Sequence, residues 1–489
     1  MKTIPYPLDD NIRTLQARFT DCGDFVGRKF PVSGFYVYMA YIDLLIDREL
    51  IDQTLMEQLF NLKIPSRPRD LFSFLRDHGL PTVDLTESDD FEETVKAILA
   101  GDTVLYMDGC DKAVVISTKG YPNRGVPTAE TEVVVQGPKE AFSEAFRVNT
   151  ALVRRRIKDT RLKIKQSVIG EITRTPIALV YLEGIARPQI LREIEERIAG
   201  LTIDGIMDGG MLEQLLVGKG NRRSPFPSAQ LTERPDKVAS SILEGRIAII
   251  VDGSPFVLLV PVTMNTLFQS SEDYYQHWLI MSLTRLLRYA GAFLAVALPG
   301  FYIAAAVYHP SMIPLQMAVK MSAARLAVPF PALVEILLMD AAFELLREAG
   351  IRLPGAAGGT IGIVGGLIIG QAAVEAGLCS PVVVIVVALA GIASFAIPNI
   401  SLMNGLRMIK YLVLLLSSVL GLLGFCGGLL LALSHLAGLR SFGVPFLLPY
   451  AAGEMNGCND LQDSAARQPL DRMKNRPFFA MPGSRKRQS

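Results

Sequence analysis

The sequence has little of what most enzyme chemistry needs. Its four histidines, His78, His277, His309 and His435, are scattered, and none stands beside a plausible nucleophile or in a metal-ligand spacing. Its five cysteines, Cys22, Cys110, Cys379, Cys426 and Cys458, are odd in number and widely separated, with no Cys-x-x-Cys pair, which argues against a disulfide framework or a zinc site. No catalytic, cofactor-binding or metal-binding residue is assigned, and an enzyme is not expected. Net charge is only +1, so a broad basic surface for nucleic acid is missing. Gly218-Lys219-Gly220 lacks the spaced glycines and Gly-Lys-Ser/Thr ending of a phosphate loop. GGTIGIVGG lacks the strand, helix and acidic residue of a dinucleotide site. The amino terminus, MKTIPYPLDDNIRT, shows no apolar stretch behind its charges, so no cleaved signal is expected.

Charge itself is missing from two long stretches, Ala290 to Tyr308 and Gly377 to Leu406, whereas Met1 to Asp273 has the mixture of a soluble protein. A chain of 489 residues exceeds what one core organises. The expected architecture is therefore an α/β soluble amino-terminal region of two similar subdomains, followed by an all-α polytopic membrane domain over residues 286–440 with four to six membrane segments.

The two subdomains are read from an internal repeat. Ile98-Leu99-Ala100-Gly101, then TVLYM, then Asp108-Gly109 is matched by Ile242-Leu243-Glu244-Gly245, then IAIIV, then Asp252-Gly253, each followed by a second apolar run. An apolar strand, Asp-Gly and another apolar strand make the pattern of a tight hairpin. Upstream, FYVYMAYID and IALVYLEG each lead into a stretch with helical periodicity. The expected limits are an extension over 1–30, subdomains over 31–136 and 168–268, and a basic helical linker over 137–167. Arg147, Arg154, Arg155, Arg156, Lys158, Arg161, Lys163 and Lys165 make that linker either a solvated helix or a surface for anionic lipid or an acidic partner. The loop 218–235, rich in Gly, Pro and Ser, is expected to be mobile.

In the membrane domain, Tyr289 to Tyr308 supplies one crossing of a ~30 Å core, with Arg285 and Arg288 just before it keeping the soluble region cytoplasmic. Tyr411 to Leu433 is the last long apolar run. A basic tail over 441–489, ending RMKNRPFFAMPGSRKRQS and expected to be partly disordered, points to a cytoplasmic carboxyl terminus and an even number of crossings. Ile361 to Ala376 and Val382 to Ile397 form a hairpin or a re-entrant pair. Pro331 to Gly350 is helical by pattern and gathers Asp340, Glu344, Arg347 and Glu348 on one side, with Val334, Leu338, Ala342 and Leu345 opposite and Glu335 the exception among them. Such a helix lies in the interface or packs its charged side against other helices or water. Gly358, Gly362, Gly366 and Gly370 recur every four residues, a smooth stripe for close helix packing, and Gln371 and Glu375 follow them. Glu375 either faces water, an ion or a partner charge, or reaches the interface near Pro381. The candidate ion pathway is Glu335, Asp340, Glu344, Gln371 and Glu375.

QGPKEAFSEAFRVNTALVRRRI, TERPDKVASSILEGRIAIIVDGSPFVLLVPVTM with SSEDYYQHW, PFPALVEILLMDAAFELLREAGIRLP, GGLIIGQAAVEAGLCSPVVVIVVALAGIASFAIPN and SFGVPFLLPYAA are long stretches of low degeneracy. Through them, from about Phe35 to Pro449, the chain resembles the GerA family of spore germinant receptor A subunits, which also includes stage V sporulation protein AF. The resemblance implies residence in the spore inner membrane and a part in nutrient-triggered germination with early ion release. It implies a transporter-like B subunit and a C-subunit lipoprotein as partners, membrane lipid around the helices, and a homo-oligomer around an ion-conducting pore. From composition and motifs, no cofactor and no nucleic-acid partner is expected. The competing class is a non-conducting membrane scaffold that relays a signal. A secondary transporter would show inverted repeats in the membrane region, and the repeat lies in the soluble region instead.

Overall fold

The computed structural model describes residues 3–32, 34–57, 59, 84–120, 127–218, 220–352, 366, 368–451 and 460–487. The chain divides into two units. One comprises Met1–Gly218, Ala229–Pro261 and Met473–Ser489, the other Lys219–Ser228 and Val262–Arg472.

The first unit holds two copies of one α/β design. The first copy runs α1 (Leu8–Arg18), β1 (Phe25–Val32), β2 (Phe35–Ile42), β3 (Leu85–Ser88), α2 (Phe91–Ala100), β4 (Thr103–Met107) and β5 (Ala113–Ile116). The second runs α3 (Phe146–Arg156), β6 (Leu162–Ile169), β7 (Thr175–Leu182), α4 (Pro188–Ala199), α5 (Gly209–Leu216), β8 (Gln230–Thr232), α6 (Pro235–Leu243), β9 (Ile247–Val251) and β10 (Val257–Val260). Both sheets are antiparallel, with order β1-β2-β4-β5-β3 in one and β6-β7-β9-β10-β8 in the other. The inner strands β4 and β9 are buried along their whole length, which is why they read as unbroken apolar runs without alternation.

The Asp-Gly pairs turn both hairpins, with Gly109 at φ 74° and Gly253 at φ 78°. Their aspartates have a second task that spacing did not reveal. The Asp108 carboxylate accepts from the Leu8 N–H at 3.2 Å, and Asp252 accepts from the Phe146 N–H at 3.3 Å, so each caps the first residue of α1 or α3. Gly109 and Gly253 donate to the carbonyls of Tyr6 and Glu144 in the same way. The fully buried Asn11 and Asn149 reach back to the carbonyls of Pro5 and Ser143.

The repeat is therefore longer than the expected 31–136 and 168–268. The 1–30 segment supplies α1 and β1 of the first copy, and 137–167 supplies α3 and most of β6 of the second. These parts were hidden because β1 and β6 are edge strands with polar exposed stretches, and α3 interleaves Phe146, Leu152 and Val153 of the core with arginines. The basic side chains divide between core and surface: Arg154 and Lys163 are buried, Arg155 and Arg156 half-buried, and Arg147, Lys158, Arg161 and Lys165 exposed. Arg154 is fully buried and bidentate to Asp24 at 2.7 and 2.9 Å. Arg147 pairs with Asp43, Arg155 and Arg156 with Glu140, Arg161 with Asp159, Lys163 with Glu183 and Lys165 with Glu195.

The second unit is helical: α7 (Met264–Phe268), α8 (Trp278–Ile303), α9 (Leu315–Arg325), α10 (Ala332–Arg352), α11 (Pro381–Phe395) and α12 (Ile400–Gly438), with a further helical stretch over 368–375. Among the described residues, two helices are long and apolar enough to cross a membrane, Trp278–Tyr308 and Ile400–Gly438. The first, 31 residues with its final π-helical turn, spans about 46 Å and so begins well before the Tyr289 expected from hydropathy.

The second is not one straight rod. Gly421 has φ 61° and ψ −133°, and beyond it the chain folds back, with Gly424 against Leu416 and Gly428 against Val413. Leu402, Leu406 and Val413 of the outgoing arm share a core with Ala432 and Leu436 of the returning one. The apolar run Tyr411–Leu433 is thus the tip of a hairpin, whose outgoing arm is about 30 Å long. A glycine at the bend is required, because this backbone conformation is closed to residues with a Cβ. The loop around Phe226, expected to be mobile, is held here too. Phe226 is buried against Gly405 and Phe446, and Asn221 donates to the Arg440 carbonyl.

A charged network between α10 and α12

Helix α10 buries carboxylates alongside the apolar Ile336 and Met339. Its Glu335 and Asp340 are buried, while Val334, Leu338 and Leu345 are exposed. Water would reverse that choice; a hydrocarbon surround favours it, since carboxylates then need internal partners.

Asp340 and Glu344, one helical turn apart, face the outgoing arm of α12. Lys410 Nζ donates to both Asp340 oxygens at 2.7 Å, and the Tyr411 hydroxyl adds a third bond at 2.7 Å. Glu344 pairs with Arg407 at 2.8 Å and with Arg347 at 2.9 Å. The Arg407 and Lys410 that flank the apolar run in sequence are thus inward-facing partners, three residues apart on one face. These groups line a cavity of about 20 Å³ with Ala295, Gly391 and Ser394, room for a single water.

Glu335 stands apart from that pair. Its Oε2 accepts the Ser380 N–H at 2.9 Å, placing a carboxylate at the amino end of α11, where the helix dipole favours it. Its other oxygen lies 3.5 Å from Arg325. Sequence reasoning missed Arg325, Lys410, Arg407 and Tyr411 as members of the site. The available signal was a lysine inside an apolar helix, which has to find an acid.

Gln371 and Glu375 join neither group. Both are exposed, one helical turn apart, and Gln371 Nε2 donates to Glu375 Oε1 at 2.9 Å. Of the glycine stripe, Gly358 and Gly362 lie outside the described residues. Gly370 is buried, and a Cβ there would sit 3.5 Å from Val384 of α11, whereas Gly366 is exposed with nothing within 4 Å.

Arg285 and Arg288, which flank the first crossing, also point inward. Arg285 bonds Asp273 at 2.8 Å and Asp463 at 2.5 Å, and Arg288 pairs with Asp273 at 2.9 Å. The leucines around them, Leu279, Leu283, Leu286 and Leu287, are exposed.

Residues 13–479 match the family model described as Bacillus/Clostridium GerA spore germination protein. Among relatives, the uncharacterized membrane protein YfkQ of Bacillus subtilis (strain 168) is 38% identical over 96% of this chain and 90% of its own length. Spore germination protein KA of the same organism is 39% identical over 87% of this chain and 78% of its own. Spore germination protein A1, also from that organism, is 37% identical over 96% and 95%. The crystal structure of the N-terminal domain of the A subunit of the Bacillus megaterium spore germinant receptor GerK3 aligns with 53% of this chain and 96% of that one, at 28% identity and a TM-score of 0.42.

Proposed function

Because this chain belongs to the GerA family of spore germination proteins, we propose that it is the A-type membrane subunit of a germinant receptor complex, acting in nutrient-triggered spore germination, and that copies of it assemble around an ion-conducting pore. The reading places it in the spore inner membrane with the first unit cytoplasmic, beside a transporter-like B subunit and a C-subunit lipoprotein.

One observation carries the pore. Glu375 and Gln371 are exposed on a helical stretch beside the exposed apolar residues Ile368 and Leu378, and a carboxylate there is costly against lipid. Water between copies of the chain removes that cost, with the exposed Gly366 on the same helical stretch leaving room for close approach. A cation path lined by Glu375 and Gln371 follows. Asp340, Glu344 and Glu335 serve as a vestibule whose charge is balanced by Lys410, Arg407, Arg347 and Arg325 in the state described.

That same balance favours the alternative, a non-conducting scaffold in which the charged network only fixes helices. Reconstitution of the chain with its partners in vesicles separates the two. A pore gives cation flux that Glu375→Gln reduces without loss of assembly. A scaffold gives no flux in any combination of subunits.

A further inference from the structure

The two copies of the first unit close one position beside their sheets in different ways. In the first copy the chain runs on past β5, and residues 117–120 lie along the segment that follows β2. Ile46 and Lys119 form a β-bridge, the Gly120 N–H donates to the Leu45 carbonyl at 3.0 Å, and the Asp47 N–H donates to the Thr118 carbonyl at 2.7 Å. Lys119 also pairs with Asp102 at 3.3 Å. In the second copy the register puts Pro261 where Ser117 stands in the first, and there the chain leaves the unit. Its own strand therefore supplies no filler.

The carboxyl-terminal segment fills that position instead. This tail, whose basic end suggested partial disorder, returns to the first unit at Met473 and is seated in the second copy. Ala186 and Ala480 form the bridge that Ile46 and Lys119 form in the first copy, and the Met481 N–H donates to the Ile185 carbonyl at 2.8 Å, as Gly120 does to Leu45. Ala480 is fully buried in one core with Val238, Ile242 and Ala248. Gly245 admits it, because a Cβ there would come within 2.7 Å of the Ala480 Cα. Phe478 and Phe479 are buried beside it, with the Arg187 guanidinium 3.6 Å from the Phe478 ring centre and that of Arg246 5.8 Å from the Phe479 ring centre. At the flanks Arg476 donates to the Leu243 carbonyl at 2.9 Å, and Arg487 pairs with Glu244 at 2.7 Å.

The segment also holds its own shape. Asn475 and Lys486 form a β-bridge, the Arg487 N–H donates to the Lys474 carbonyl at 2.7 Å, and Arg476 donates to the carbonyls of Ser484 and Lys486. It is a small hairpin whose tip carries Phe478, Phe479 and Ala480. A tip formed in advance loses less freedom on docking than an open strand does.

We propose that the second copy carries a peptide-binding slot, bounded by residues 185–187 and 243–246, and that the chain's own residues 473–487 are the ligand that occupies it. Backbone pairing along Ile185 and Ala186 supplies affinity, and the enclosed alanine between aromatic and basic neighbours supplies selectivity. The first copy offers no counterpart at that position, because its own continuous strand closes it. The inference goes beyond the receptor reading and stands whether or not the helical unit conducts.

The test uses the full chain in detergent with a protease site inserted between Arg472 and Met473 and cut after folding, so that the second copy has formed with its segment in place. A labelled synthetic peptide of residues 473–489, in excess, is expected to replace the cut segment and to bind saturably. The same peptide with Ala480→Arg should bind about 100-fold more weakly, because a guanidinium would have to enter an enclosed apolar position. A chain ending at Arg472 is followed by amide hydrogen exchange. Exchange over 185–187 and 243–247 should rise about tenfold and fall again when the peptide is added, while 45–47 in the first copy stays unchanged. Failure of the peptide to enter the cut chain, equal binding of the two peptides, or unchanged exchange at 185–187 in the shortened chain each overturns the slot. An equal rise at 45–47 overturns it too, since a segment that both copies need to stay folded is part of the core and not a ligand.

Discussion

The two units handle polar and apolar side chains in opposite ways. In the α/β unit the strands bury their apolar residues and leave a polar skin. In the helical unit the surface carries Leu338, Leu423 and Leu430, while Asp340, Lys410, Arg285 and Asp273 lie inside. Both units also contain a fully enclosed arginine–aspartate pair, Arg154–Asp24 in one and Arg285–Asp273 in the other. Enclosed ion pairs are therefore common to both; what differs is the solvent each unit is built against.

The comparison breaks first, and hardest, at a buried pair. Lys410→Met leaves Asp340 with Tyr411 as its hydrogen-bond donor among the described residues, and we expect a loss of about 3–5 kcal/mol, since an uncompensated buried charge is left behind. Thermal unfolding in detergent measures it. The double variant Asp340→Leu/Lys410→Met should recover most of the loss.

The second test is of the surfaces. Ile172 and Leu423 are comparably exposed, 76% and 81%, one in each unit. Leu423→Lys, two residues past the Gly421 bend, should weaken membrane insertion by at most the about 2.5–3.5 kcal/mol of a lysine at a helix centre. Ile172→Lys should change stability by under ~0.5 kcal/mol. Insertion assays and unfolding of the full chain check the pair; equal effects would mean that Leu423 does not face lipid.

The smallest effect sharpens the comparison between the two copies. Asp108→Ala and Asp252→Ala each remove one capping carboxylate, and each should destabilise its own helix, α1 or α3, by about 1 kcal/mol. Exchange rates in the two helices read this out, and matched losses would establish that the copies remain equivalent in their local energetics.

Much of this was legible in residue spacing. Asp108-Gly109 and Asp252-Gly253 marked the hairpins because tight turns need residues that tolerate positive φ. The charge-free stretches Ala290–Tyr308 and Gly377–Leu406 marked the apolar helices α8 and α11, because an unpaired charge is costly away from water. The pattern at Pro331–Gly350 grouped Asp340, Glu344 and Arg347, which the structure joins in one network, together with Glu348, which is exposed. It could not say which face is inward, because helical periodicity is the same in water and in lipid. The edge strands and α3 escaped because their burial depends on neighbours far along the chain: Arg154 looks like a surface arginine until Asp24, 130 residues away, is beside it.

What the sequence determined by itself was the inventory: a duplicated α/β pattern, apolar segments of membrane length, and the positions of the few charges among them. Those follow from local periodicity and from the free energy of transferring side chains out of water. Tertiary structure alone decided the partners. Asp340 meets Lys410 across 70 residues and Arg285 meets Asp463 across 178, Gly421 turns one apolar run into two arms, and Ala480 completes a core begun at Phe142. Such pairings depend on where whole elements pack, and no spacing along the chain encodes that distance.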